Sequence, residues 1–361
     1  MSWHHPRRLA ALLAGVLAAA ALAACGSPTP APTDAGPASG APSADISASA
    51  STLLPPAEGK TQYPLTLKTP YGETVLKARP ERIAIVGGLG DQESVLALGI
   101  APVLGSDKVA YPWLQETRFD EIETFIDPWA DNFSIETVAA ADPDLIVAST
   151  FGGLEDQFER LSSIAPVLAV GKTGDYAWDW RELIGGVAEA TDLSARAEEQ
   201  IAKTEAKVVD AAAAHPEWKG HTVSIVINRG QEAGIEFVNI DGSPAAQLLT
   251  QLGFAEHPNH EKLSSFEWGN VSLENIGLVD ADALIVARHG GMGTIEEATT
   301  WLEGNALYQQ LGAVKADKVA YLDPSEATGV LDLAWAFSYP NVLSDRWTVD
   351  ELTPALSGIV G

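Results

Sequence analysis

Four short apolar runs organise the chain, at residues 83–86, 145–148, 223–227 and 283–287. None alternates apolar with polar positions along its length, Ser224 being their one polar residue, and near-continuous runs of this length are the pattern of strands buried on both faces of a parallel sheet. Helical segments stopped by glycine accompany them. Ser94-Val95-Leu96-Ala97-Leu98-Gly99-Ile100-Ala101 in the first half parallels Leu248-Leu249-Thr250-Gln251-Leu252-Gly253-Phe254-Ala255 in the second. The likeness extends without a gap at a shift of 138 positions (272 − 134): Ser134-Ile135-Glu136-Thr137-Val138 lies over Ser272-Leu273-Glu274-Asn275-Ile276, and Phe151-Gly152-Gly153-Leu154 over His289-Gly290-Gly291-Met292. Each copy predicts a short helix with a serine cap and an acid in its first turn, then a buried strand, then a Gly-Gly loop.

Each half therefore predicts strand, helix, strand, helix, strand. The expected fold is α/β, with two Rossmann-like lobes built on mainly parallel sheets, at 61–177 and 216–361. An alanine-rich helical segment over 178–215, with Glu199 and Lys203 at i,i+4 and Pro216 at its limit, should join them as a single long helix. A one-helix joint predicts a stiff hinge with a ligand held between the lobes. In open parallel sheets that ligand crevice lies beyond the carboxyl ends of the strands.

The two ends add compartment. Arg7 and Arg8 precede an apolar run over 9–24 that is too short to span a bilayer, so 1–24 reads as an export signal. It ends in Leu22-Ala23-Ala24-Cys25-Gly26, which resembles the bacterial lipobox and makes Cys25 the expected lipid acceptor at the membrane. Residues 25–60 are rich in Pro, Ala, Ser, Thr and Gly and predict a disordered tether. With one cysteine in 361 residues no disulfide can support the fold. A formal charge of −27 argues against a nucleic-acid partner and against adhesion to anionic lipid by surface charge.

An enzyme lacks its parts: no Gly-x-Ser-x-Gly elbow, His-Glu-x-x-His pair or phosphate loop occurs, and Cys25 would be acylated. Several other motifs instead carry a family likeness. Arg79-Pro80-Glu81-Arg82-Ile83, Gly90-Asp91-Gln92-Glu93, Tyr111-Pro112-Trp113, Asp142-Pro143-Asp144-Leu145-Ile146 and Ile164-Ala165-Pro166-Val167 resemble the helix-hinged periplasmic iron-siderophore binding proteins, the enterobactin-binding branch most closely. The resemblance implies a monomeric solute-binding component, with no cofactor beyond the iron inside its bound siderophore. Its partners would be an ABC permease dimer and that dimer's ATPase. Gly87-Gly88-Leu89 stands where that branch often has a tryptophan, so catecholate, hydroxamate and mixed siderophores stay open. Haem, a corrinoid or ferric citrate on the same fold is the alternative cargo.

A ferric siderophore is bulky, partly aromatic and, as a catecholate, anionic, so its site needs flat side chains and a few guanidinium groups. The loops at the carboxyl ends of the predicted strands supply Arg229 and Arg288, with His289 beside the latter and Phe151 at its repeat-equivalent position. Tyr111, Trp113 and Trp178 offer aromatic surface, although a core role suits each of them singly. The loop around 257–268 is also expected at the cleft. Within it, His257-Pro258-Asn259-His260 reads as plain surface, because a metal site wants three or four converging ligands. Glu136 and Glu274 occupy equivalent points of the two lobes. Favourable interaction with a helix dipole is their plain role, and the resemblance implies a matched pair of acids for permease docking.

Overall fold

A computed structural model describes residues 52–128, 130, 133–171, 179–289, 293–324, 332–338 and 340–360. The export signal, Cys25, most of the expected tether and Trp178 lie outside the described residues. In chain order the first lobe holds β1 (Leu65–Thr69), β2 (Gly72–Leu76), β3 (Ile83–Ile85), α1 (Leu89–Ala97), α2 (Ile135–Ala140), β4 (Leu145–Val147), α3 (Leu154–Ser162) and β5 (Val167–Leu168). Helices α4 (Trp180–Thr191) and α5 (Ser194–Ala214) follow. The second lobe comprises β6 (Val223–Asn228), α6 (Gly230–Ala233), β7 (Ile235–Phe237), α7 (Pro244–Gln251), α8 (His260–Ser264), β8 (Asn270–Val271), β9 (Ala283–Arg288), α9 (Ile295–Glu303), α10 (Gly312–Lys315), β10 (Val319–Leu322), α11 (Asp332–Ser338) and α12 (Ser344–Val360).

The first sheet is parallel in the order β3-β4-β5, and single bridges at Ala84–Leu104 and Gly105–Phe125 lengthen it. All three strands are fully buried, with an apolar cluster on each side, which is why their sequence runs are unbroken. The second sheet runs β10-β9-β6-β7-β8. Its β10, β9 and β6 are parallel as expected, while β7 and β8 are antiparallel additions. Their origin is local. Gly230 at φ 81° and Gly234 at φ 79° let the chain fold straight back after β6, and so short a connection can only join antiparallel neighbours.

The segment expected as one linking helix is two. Asp192, at φ 56°, ends α4 in the left-handed region, and the long connecting helix is α5 alone. Asp192 also explains why the tether ends sooner than residue 60. Its carboxylate accepts from the backbone N–H groups of Gly59, Lys60 and Thr61 at 2.7–2.9 Å. Glu58 in turn accepts from Ala195 and Arg196 N–H, capping α5 from a distance. Leu54 is buried in the first-lobe core, and Ala101 N–H donates to the Leu53 carbonyl. Residues 52–61 are thus part of the folded lobe, while the expected Glu199–Lys203 pair forms at 2.7 Å.

The lobes are also bridged at the start of α12. Asn341 donates from its amide to the Gly90 carbonyl (2.7 Å) and Ser94 Oγ (3.0 Å), and Ser344 donates from N–H and Oγ to Glu93. Val342 completes the apolar cluster of the first lobe.

Candidate functional site

Adjacent parallel strands β6 and β9 run in register, Asn228 opposite Arg288, so Arg229, Arg288 and His289 come together at their carboxyl ends. Arg229 donates from Nε and Nη2 to Glu236 (2.7 and 2.6 Å) on β7. Arg288 donates from Nη2 to Asp323 (2.5 Å), just beyond β10, and its guanidinium lies 5.4 Å from the Tyr321 ring centroid. The Arg288 Nε is buried without a hydrogen-bond partner, as is Thr299 Oγ1. Both residues line one open pocket of about 450 Å³, together with Ile295, Glu296, Thr300 and Asp323. Buried polar atoms without partners are costly, and water or a polar group bound in this pocket would relieve that cost. His289 donates its N–H to the Asn228 carbonyl, while burial and then the nearby Arg229 charge hold its imidazole below the usual pKa.

Facing loops of the first lobe are organised by Gly90-Asp91-Gln92-Glu93. The whole stretch is buried: Asp91, Gln92 and Glu93 are each 0% exposed. Asp91 Oδ2 accepts from Thr150 N–H (2.7 Å) and Oγ1 (2.8 Å), and a Cβ on Gly87 would stand 1.6 Å from the same oxygen. Only glycine fits there. Burial raises the Asp91 pKa to about 6 against those hydrogen bonds. Gln92 Oε1 accepts from Ser106 and Asp107 N–H, and Glu93 Oε1 accepts from Trp113 Nε1 at 2.9 Å. The motif is thus a brace for the cleft loops.

Three expected wall residues lie inside. Tyr111 and Trp113 stack at 4.7 Å and 12°, and Trp113 meets Trp347 of α12 at 5.0 Å. They are 3% and 7% exposed and pack with Leu89, Leu96 and Ala336, so they fill the contact between the lobes. Phe151 packs against Phe133 at 4.9 Å in the first-lobe core, because the chain turns inward after β4. The cleft position expected for 257–268 is also wrong at its start. Ala255 bridges Thr222 and Asn259 donates to the Leu278 carbonyl, which puts His257 and His260 near the amino end of β6, away from the cleft. The sequence reading missed Thr299, Tyr321 and Asp323; the unbroken run into Arg288, followed by the Thr294-capped α9, was the available signal.

Glu136 and Glu274 are exposed first-turn residues, of α2 and of a 3-10 helix, Leu273–Val279. Ser134 caps its helix by accepting from Thr137 N–H, whereas Ser272 makes no such side-chain cap. Val271 lies opposite Ile235, itself opposite Asn228, and Phe133 touches Phe151 just after β4. Both acids therefore sit near the carboxyl ends of their sheets.

Two lobes, with basic groups gathered at strand carboxyl ends and a loop-bracing acidic motif, define a solute-binding protein. The chain belongs to the periplasmic binding protein family, whose model matches residues 83–326, and that family binds solutes and does not catalyse reactions. It is 23% identical over 251 residues to the Fe(3+)-citrate-binding protein YfmC of Bacillus subtilis, covering 69% of this chain and 75% of that protein. A periplasmic solute binding protein of Mycobacterium smegmatis superposes with a TM-score of 0.66 at 23% identity, over 82% of this chain and 99% of that one. Streptococcus pneumoniae PiaA in complex with ferrichrome gives 0.63 at 25%, over 82% and 98%. No helix among the described residues is long and apolar enough to cross a membrane.

Proposed function

We propose that this protein captures a ferric chelate, a siderophore or ferric citrate, between its lobes and delivers it to an ABC permease. The observation that carries this reading is the placing of Arg229 and Arg288 side by side at the carboxyl ends of adjacent strands of a strongly acidic chain. The unpartnered Arg288 Nε and Thr299 Oγ1 share one pocket there. A chelate carboxylate or catecholate oxygen is the natural partner for such donors. Iron chelates are named for both YfmC and the PiaA complex. Cys25 would carry the lipid that holds the protein on the outer face of the cell membrane, and Glu136 and Glu274 would meet the permease.

Titration with ferric siderophores, ferric citrate, haem and cobalamin, read by quenching of tryptophan fluorescence, tests the cargo. One equivalent of an iron chelate should bind, and Arg288→Ala or Arg229→Ala should weaken it roughly ten- to a hundredfold, the worth of a charge-assisted contact. Wild-type affinity in both variants would refute the site, and binding of haem or cobalamin alone would refute the cargo.

A further inference from the structure

The His-Pro-Asn-His turn has no part in the cleft, yet its surroundings are chemically distinctive. Asp241, from the loop after β7, Glu256, from the stretch between α7 and α8, and His260, the first residue of α8, bring one ligand atom each to within 4.8 Å of one another. Three side chains from separate elements thus converge, where the sequence showed only a pair of histidines. We propose that Asp241, Glu256 and His260 form a binding site for a divalent transition-metal ion of the zinc type, separate from the chelate cleft.

Donor chemistry and spacing both support this. One imidazole nitrogen and two carboxylate oxygens match the borderline preference of zinc, with a fourth position left for water. Bonds of about 2.0–2.1 Å in tetrahedral geometry put ligand atoms about 3.4 Å apart. His260 Nδ1 and Glu256 Oε1 already stand at 3.4 Å, and the ligand atoms of all three residues lie within 4.8 Å of one another. The His260 nitrogen adds an independent sign: it is shielded from solvent and makes no hydrogen bond, its distance to Glu256 notwithstanding. A ring nitrogen at that separation from a carboxylate oxygen, without the geometry of a hydrogen bond, is free to take a metal ion. Neither carboxylate has a lysine or arginine partner among the described residues.

The frame is held in advance. His257, 3% exposed, accepts from Asn259 N–H at its Nδ1, and the Asn259 amide is tied to Leu278. Asp241 N–H donates to Ser264 Oγ on α8, which fastens one loop to the other. An ion here would lock the β7–α7 loop to the α7–α8 stretch at the amino end of β6.

The test is calorimetric titration of untagged, chelate-free protein with Zn²⁺, with bound metal counted after dialysis. One equivalent should bind, and Zn²⁺ should raise the melting temperature. Loss of an outer-shell partner alone weakens metal binding roughly ten- to a hundredfold, so His260→Ala and Glu256→Gln should each weaken it at least as much and abolish the thermal shift. Asp241→Asn, at an exposed position, gives a further variant whose folding is not in question. Ferric-chelate affinity should stay at the wild-type value in all three. Absence of stoichiometric Zn²⁺ binding, or wild-type Zn²⁺ affinity in the variants, would overturn the proposal. Loss of chelate binding alongside zinc binding would overturn the separation of the two sites.

Discussion

Glu93 is a carboxyl group with no water at all, held between lobes by Trp113 on one side and Ser344 on the other. Burial raises its pKa to about 8, and the hydrogen bonds from Ser344 and Trp113 oppose the rise only in part. A carboxyl whose folded pKa lies above its unfolded value binds more protons when folded. Its contribution is then complete below the unfolded pKa, near 4.5, and is lost as pH climbs through about 8. Glu93→Gln removes this titration while keeping the shape. The melting temperature of the wild type, measured against that variant, should therefore fall between pH 5 and pH 8.5, by the equivalent of a few kcal/mol. A constant difference across that range would show that Glu93 does not titrate there. None of this was legible in the sequence, where Gly-Asp-Gln-Glu carried only a family likeness. Aromatic letters were equally mute: Tyr111, Trp113 and Phe151 serve as interior packing, and nothing about residue type distinguishes a ligand wall from a lobe contact. What could be read of Arg229 and Arg288 was their place at strand ends, because a charged residue closing a buried strand has few places to go.

At the scale of elements, legibility followed burial. The runs behind β3, β4, β6 and β9 were found because strands buried on both faces can hold little but apolar residues. The three-residue β7 has no room for a pattern, and its antiparallel pairing is set by turn geometry. The break between α4 and α5 went unseen because it carries no proline or glycine. Asp192 makes that break, and its carboxylate repays the left-handed conformation by gathering three N–H groups. Asp192→Ala should lower stability by about 2 kcal/mol or more in urea unfolding, since a buried charge-assisted hydrogen bond is worth roughly that much. Asp192→Asn, which tolerates the same backbone and keeps one acceptor, should lose less. Equal losses would mean that the carboxylate clasp, lost in both variants, and not the left-handed backbone is what matters.

For the molecule as a whole, the repeat is the feature that the chain states most openly, and it survives in space with a change of detail. Glu136 and Glu274 keep equivalent stations although one begins an α-helix and the other a 3-10 helix. One exposed acid on each lobe suits a permease of two halves, where surface charge steers encounter and sets register more than it adds affinity. Glu136→Ala combined with Glu274→Ala should leave chelate affinity unchanged and reduce uptake several-fold in cells, with smaller losses for the single changes. Full uptake by the double variant would reduce both residues to helix-end charges, and weakened chelate binding would place them in the cleft.

The clasp at Asp192 and Glu58 also decides where mechanical load enters. The chain ahead of Thr52 runs into residues 58–61, which are fastened to the end of α4 and the first turn of α5 before β1 begins. A pull along that leading segment first meets Leu53 and Leu54 in the first-lobe core and then the clasp at the root of the connecting helix, and both anchors lie ahead of β1. A protein held by its leading end would thus share the load between one lobe and the root of that helix before any strand is pulled.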